Sequence, residues 1–185
     1  IGFAASLFGA ASLVSATTQG KRHLLRLVSG YGWVVGLAGL AAFVVMERAL
    51  IVRDWSLAYV QKVGSWSTPA LYNFTAVWSA LEGSILLWLM VLTLLTIGIA
   101  VKYRTKLDDP MVGWALATMF FVGIFFFILT LFPANPFRAG PAGVTDGPGP
   151  NPLLQNHILV AFHPPLLYMG YVRSEERRVG KECRS

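Results

Sequence analysis

Two histidines six residues apart, His157 and His163, lie in NPLLQNHILVAFHPPLLYMGYV at residues 151–172, where an uncharged run resumes after a proline- and glycine-rich stretch. His163 precedes Pro164 and Pro164 precedes Pro165. A residue before proline is pushed away from α backbone by the ring, so both are expected to be extended or PPII-like. Proline suits the first turn of a helix, so Pro165 and the apolar residues 166–172 read as a helix beginning. His163 then sits at the rim of a membrane run. A neutral imidazole held there could ligate a metal or a haem iron, whereas a histidine deep in a span is more often an internal hydrogen-bonding group. The bland alternative is a helix-start histidine bonded to a loop carbonyl, and spacing alone leaves both readings open.

Two other residue types could do chemistry. Glu82 follows Ser79 in an S-x-x-E capping pattern ahead of the uncharged residues 83–101. It reads as a helix-start acid favoured by the positive end of the dipole, with proton or ligand handling as the alternative. Cys183 is the single cysteine, so the chain has neither an internal disulfide nor a Cys-x-x-Cys redox or zinc site.

The elements that must position these groups are membrane helices. With 55% hydrophobic residues, 13% charged and a mean hydropathy of +0.59, the chain has too few charges to cover a soluble globule. Its net charge of +6 comes in short clusters between apolar runs rather than in a basic and aromatic surface, so it gives topology and no nucleic-acid partner. Residues 1–20, 27–46, 83–101 and 111–132 are uncharged. Each is long enough to cross about 30 Å of hydrocarbon at about 1.5 Å per residue. Gly32 and Gly36 stand at the spacing that lets a neighbouring helix approach closely. Asp108-Asp109-Pro110 is a turn and a helix start in one. The phenylalanines of residues 120–132 run round all faces of their helix, which suits lipid and helix packing better than a stacking platform. Residues 133–152 carry six prolines and four glycines, an irregular loop outside the membrane suited to a binding or lid role or to a tether. Lys21, Arg22 and Arg26, with Lys102, Arg104 and Lys106, mark one side as cytoplasmic. Residues 47–83, which mix Trp55, Tyr59 and Trp66 with charges, then share the outer side with the Pro-Gly loop and His163.

NPLLQ followed by HPPLLYMGYV closely resembles the CcmF family of cytochrome c biogenesis proteins, and Trp78 followed by Glu82-Gly83-Ser84-Ile85-Leu86-Leu87-Trp88 resembles a second family block. Many bacterial members have a histidine just before that glutamate; Leu81 stands here, and no role for that neighbour carries over. The resemblance implies an all-α, polytopic transmembrane bundle, here four spans plus the start of a truncated fifth, in a bacterial inner membrane with the His163 loop on the periplasmic side. It implies part of a haem lyase subunit, handling b-type haem as bound or transferred cofactor for attachment to apocytochrome c. Its partners would be lipid, a haem chaperone, apocytochrome c and other maturation subunits. The family's HPP histidine, an axial ligand or haem-positioning group, matches His163. The family's tryptophan-rich segment and its other haem histidines have no counterpart, since the remaining histidines are His23 and His157. His157 is expected to be a loop hydrogen-bonder. A fragment of this kind is expected to be inactive alone. A transporter or channel using Glu82, or a purely structural assembly subunit, is the competing class.

Residues 173–185, RSEERRVGKECRS, break the pattern. Eight of these thirteen are charged, against sixteen of the preceding 172. The tail resembles translated sequencing-adapter sequence and is expected to be non-native, which would leave 1–172 as the family-like membrane domain.

Overall fold

The computed structural model describes the backbone of residues 1–152 and 157–182, and the side chains of these except 22–23 and 172–182. Residues 153–156, which include the last three of the NPLLQ string, the side chain of His23, and Cys183 lie outside the described residues. The helices are α1 (Gly2–Thr18), α2 (Arg22–Val28), α3 (Tyr31–Val52), α4 (Ala58–Val63), α5 (Ala70–Thr75), a 3-10 turn (Ala76–Trp78), α6 (Leu81–Lys102), α7 (Pro110–Leu131) and α8 (Leu159–Glu182). The chain is all-helical as expected, and among the described residues the one strand-like feature is an isolated bridge between Leu57 and Ala139. Among the described residues three helical segments, Leu24–Val52, Leu81–Lys102 and Pro110–Leu131, are long and apolar enough to cross a membrane, while Gly2–Thr18 is apolar but shorter.

Local signals set most helix ends. Asp109 caps α7, accepting from the backbone N–H of Met111 at 2.9 Å with Pro110 in the first turn. After α1, Gly20 turns left-handed (φ 66°) and Lys21 N–H reaches back to the Ala16 carbonyl at 2.9 Å. The same closure after α3 uses a non-glycine: Arg53 has φ 55°, and Asp54 N–H reaches the Ala49 carbonyl at 2.9 Å. A left-handed arginine costs about 1 kcal/mol or more. Two contacts hold it there, Arg53 Nε donating to the Ser65 carbonyl at 3.2 Å and the guanidinium lying 4.6 Å from the centre of the Trp66 ring.

The chain divides into two compact units, residues 1–45 with 92–135 and residues 46–91 with 136–185. The first is a helix-packing unit. Small residues let its backbones meet, as hydrocarbon-immersed helices require. A Cβ on Gly9 would lie 2.6 Å from the Phe120 ring, one on Gly113 would lie 2.9 Å from Thr17 Oγ1, and one on Gly36 would collide with Ile97. Gly32 is in ordinary contact range of Thr96 and Ala100, so the Gly32–Gly36 spacing does mark a close approach, extended by Gly39 against Thr93. Phe120 and Phe127 are buried, whereas Phe121 and Phe125 are exposed on the same helix.

The second unit combines the short helices α4 and α5 and the outer loops with α8 and the adjoining ends of α3 and α6. The Pro-Gly stretch is irregular and is laced to residues 54–66. Ala58 N–H donates to the Arg138 carbonyl (2.9 Å), Gly140 N–H to the Ser56 carbonyl (2.8 Å) and Gln61 Nε2 to the Pro141 carbonyl (2.8 Å). Trp66 completes the lacing, its indole N–H donating to the Thr145 carbonyl at 2.9 Å and its backbone N–H to Asp146 Oδ1 at 3.0 Å. Of the roles the length suggested, a free tether does not fit this bonding.

Candidate functional site

The residues that the two family-like blocks single out all fall in the second unit. The block around Glu82 is a backbone device. Gly83 packs so closely on the Val77 carbonyl and the Tyr59 hydroxyl that any Cβ would collide with both. Buried Tyr59 donates to the Val77 carbonyl at 2.8 Å, and Ser84 Oγ donates to the Trp78 carbonyl at 3.0 Å. Burial, and then the nearby Glu82 charge, hold the Tyr59 phenol well above its usual range, so it stays a donor. The 3-10 turn is thereby folded onto the first turn of α6, and Trp78 is fixed beside it.

The expected capping box is corrected by these contacts. Helix α6 starts at Leu81, and Ser79 Oγ donates backwards to the Ala76 carbonyl at 2.8 Å. The 3-10 turn just before the helix puts the Ala76 carbonyl within reach of the Ser79 hydroxyl, which donates there instead of capping α6. Glu82 does lie in the first turn, where the dipole favours an acid, but its carboxylate pairs with Lys62 Nζ at 2.9 and 3.1 Å. With Lys62 54% exposed, such a pair contributes at most about 1 kcal/mol.

His163 also departs from the backbone expected of it. Helix α8 begins at Leu159 and runs through Pro164 and Pro165, so His163 is helical rather than extended. It continues to Glu182, past the point where the apolar run ends. Glu, Lys and Arg are good helix formers, so the loss of hydropathy after Val172 does not stop the backbone. A proline inside a helix forfeits one hydrogen bond and crowds the carbonyl four residues back, at about 3 kcal/mol. Pro164 would leave the Val160 carbonyl without a donor. The Trp78 indole N–H supplies one at 2.8 Å. Lower on the same helix, the Tyr168 ring meets Trp88 edge-on, centres 5.2 Å apart at 86°. His163 is thus helical against the local preference of a residue before proline, on a helix that residues 78 and 88 both contact.

Val160, Pro164 and Tyr168, one turn apart, are the partly buried face of α8. His163 is exposed beside Phe162 (58%) and Leu166 (64%), also exposed, and among the described residues its ring makes no hydrogen bond. His157 behaves as expected of a loop residue, Nδ1 accepting from Leu159 N–H at 3.2 Å as α8 begins. His163 and His157 are thus separated in role, one exposed and unpartnered, one closing a turn. Among the described residues no three His, Cys, Asp or Glu side chains gather as a metal site. An exposed, unpartnered imidazole with apolar neighbours on its face of the helix fits a single axial ligand to a haem iron, and does not fit a closed metal centre.

Sequence reasoning missed one polar group. Glu47, read as an interface charge, is 8% exposed on α3, and neither carboxylate oxygen has a partner among the described residues. Its position at the close of the long uncharged run was the available signal.

Residues 78–174 match the family model described as "Cytochrome C assembly protein", more than half of the chain. The chain belongs to this family. Among curated members, it is 40% identical over 154 residues to cytochrome c-type biogenesis protein CcmF of Pseudomonas fluorescens, covering 83% of this chain and 23% of that protein. It is 35% identical over 155 residues to CcmF of Escherichia coli K12, covering 83% and 24%. A solved structure of the cytochrome c haem lyase CcmF superimposes with a TM-score of 0.75 at 36% identity, over 93% of this chain and 26% of that one. The chain spans about a quarter of the length of these relatives. The Cytochrome C assembly match takes in both Trp78 and His163, so the hydrogen bond between Trp78 and Val160 joins the first residue of the family segment to its last helix.

Proposed function

We propose that this chain takes part in cytochrome c maturation as a segment of a haem lyase subunit, and that His163 is the axial haem ligand it contributes. One observation carries the reading: in a member of the Cytochrome C assembly family, His163 is exposed, makes no hydrogen bond among the described residues, and is mounted on a helix clamped by Trp78 and Trp88. A ligand must offer a free ring nitrogen, and the exposed His163 ring offers one from a backbone that the Trp78 and Trp88 contacts hold. Exposed Phe162 and Leu166 beside it suit the apolar edge of a porphyrin and would limit water at the ligand. Bound haem would supply the vinyl carbons that become thioethers with the cysteines of an apocytochrome. The chain's own part is to hold and orient. One histidine without a second axial ligand holds haem weakly, so the segment alone is expected to show little haem and no lyase activity. Partners on this reading are a haem chaperone, apocytochrome c and other maturation subunits.

The reading places His163, the Pro-Gly loop and residues 47–83 on the outer side of a bacterial inner membrane, opposite Lys21, Arg22, Arg26, Lys102, Arg104 and Lys106. A reporter fused after Lys106 is expected inside and one after Asp146 outside; both on one face would end this topology. The functional test uses full-length CcmF of Pseudomonas fluorescens in which residues 1–172 of this chain replace the matching segment. There His163→Ala should lower cytochrome c yield about tenfold or more. His163→Gly with added imidazole should partly restore it, and His157→Ala should leave it near the parent level. Normal yield in His163→Ala overturns the ligand assignment.

A further inference from the structure

We infer that Trp78 is a positioning residue for His163, acting as the hydrogen-bond donor that Pro164 cannot be. The geometry is specific to that role. In a helix the N–H of residue 164 would bond the carbonyl of residue 160, and proline has no N–H to give. The Trp78 indole Nε1–H occupies the vacancy, 2.8 Å from the Val160 oxygen. The donor is itself immobilised. Trp78 is 7% exposed, the Phe74 ring meets it edge-on at 5.6 Å and 89°, and its carbonyl accepts from Ser84 Oγ at 3.0 Å. The acceptor lies one turn before His163's proline neighbour, so whatever sets the Val160 carbonyl sets the direction of the first two turns of α8. The prolines contribute stiffness in turn: Pro164 and Pro165 fix two successive φ angles just after His163. A helix start made of a stiff pair and one long-range donor fixes the backbone from which the imidazole projects. It also joins the Trp78 to Trp88 block to the HPP block by chemistry rather than by mere adjacency.

A side chain that substitutes for a missing backbone donor makes a prediction that packing alone does not: giving the donor back at residue 164 must make Trp78 dispensable. Trp78→Phe keeps the ring and removes the N–H; Pro164→Ala restores a backbone N–H aimed at the same oxygen. The geometric arm uses the full chain in lipid vesicles, with Cys183→Ser and His163→Cys carrying a nitroxide. Trp78→Phe should raise the label's mobility, Pro164→Ala alone should leave it near the parent value, and Trp78→Phe with Pro164→Ala should return it to the parent value. The functional arm, which rests on His163 being the haem ligand, uses the Pseudomonas fluorescens chimaera. There Trp78→Phe should cut cytochrome c yield about tenfold, as loss of a ligand-orienting partner does. The double variant should recover to within about twofold. If Trp78→Phe proves too unstable to insert, recovery of insertion by Pro164→Ala supports the same substitution of donors. The inference is overturned if Trp78→Phe leaves the label unchanged, or if Pro164→Ala fails to rescue it, since Trp78 would then act by packing. The label needs no haem, so a failed ligand assignment, read from His163→Ala, leaves this arm to stand or fall by itself.

Discussion

Helices α7 and α8 both carry proline near their starts, and the contrast between them separates what a proline costs from where it stands. Pro110 opens α7 at a position whose N–H has no partner in any helix, and Asp109 caps the turn from the adjacent residue. Everything α7 needs at that end is within three residues. Pro164 and Pro165 lie a full turn further into α8, where their missing N–H groups strip the Val160 and Ala161 carbonyls of donors. The repair for Val160 comes from Trp78, 82 residues away. A helix start can thus be written locally or borrowed from a distant element, and only the second kind couples one part of the fold to another.

The comparison breaks most sharply at Gly83. A Cβ there collides with the Val77 carbonyl and the Tyr59 hydroxyl, so Gly83→Ala should displace the turn that carries Trp78 and cost about 3 kcal/mol. Thermal unfolding in detergent would show the loss, and hydrogen exchange should place the loosening at the start of α8 while α7 keeps its protection. Unchanged protection at residues 159–166 would show that α8 does not lean on that turn. A local start should respond more mildly. Asp109→Ala should cost about 1 kcal/mol, with exchange rising only in the first turn of α7, and Pro110→Ala should be nearly neutral. A large effect of Pro110→Ala would mean that the two prolines are not as different as their hydrogen bonds make them.

The smallest expected effect sharpens the distinction within the outer loops. Asp146 is held below the usual carboxylate range chiefly by the Trp66 backbone N–H. A depressed carboxylate contributes stability that is present above the unfolded value, about pH 4, and is lost as pH falls through the folded one. Acidification below about pH 4 should therefore shift Trp66 emission as the clamp on the Pro-Gly loop opens. Asp146→Asn should remove that pH dependence; a retained acid transition would assign it to another carboxylate.

Much of the molecule was legible before any coordinates. The uncharged runs gave α6 and α7 to within two residues, because a hydrocarbon core demands about 20 apolar residues and satisfied backbone, whereas α3 runs six residues past its uncharged run to Val52. Asp109-Pro110 gave the start of α7, and Gly36 gave a close helix contact, because caps and missing side chains act on immediate neighbours. The Trp78 to Trp88 and HPP strings gave the family. Where reading failed, local preference met a distant partner. His163 was expected to be extended because the ring of Pro164 disfavours helix there. It is helical, and the Trp78 indole donates to the Val160 carbonyl that the ring leaves without a backbone donor. Ser79 and Glu82 matched a capping box in spacing, yet the 3-10 turn aimed Ser79 backwards and Lys62, twenty residues earlier, took the carboxylate. Glu47 looked like one more interface charge until its surroundings enclosed it. Hydropathy and propensity are sums over neighbours in the chain, so the sequence by itself determines spans, caps and kinship. Which carbonyl lacks a donor, and which side chain arrives to supply it, depends on atoms brought together from far apart, and that the tertiary structure alone decides.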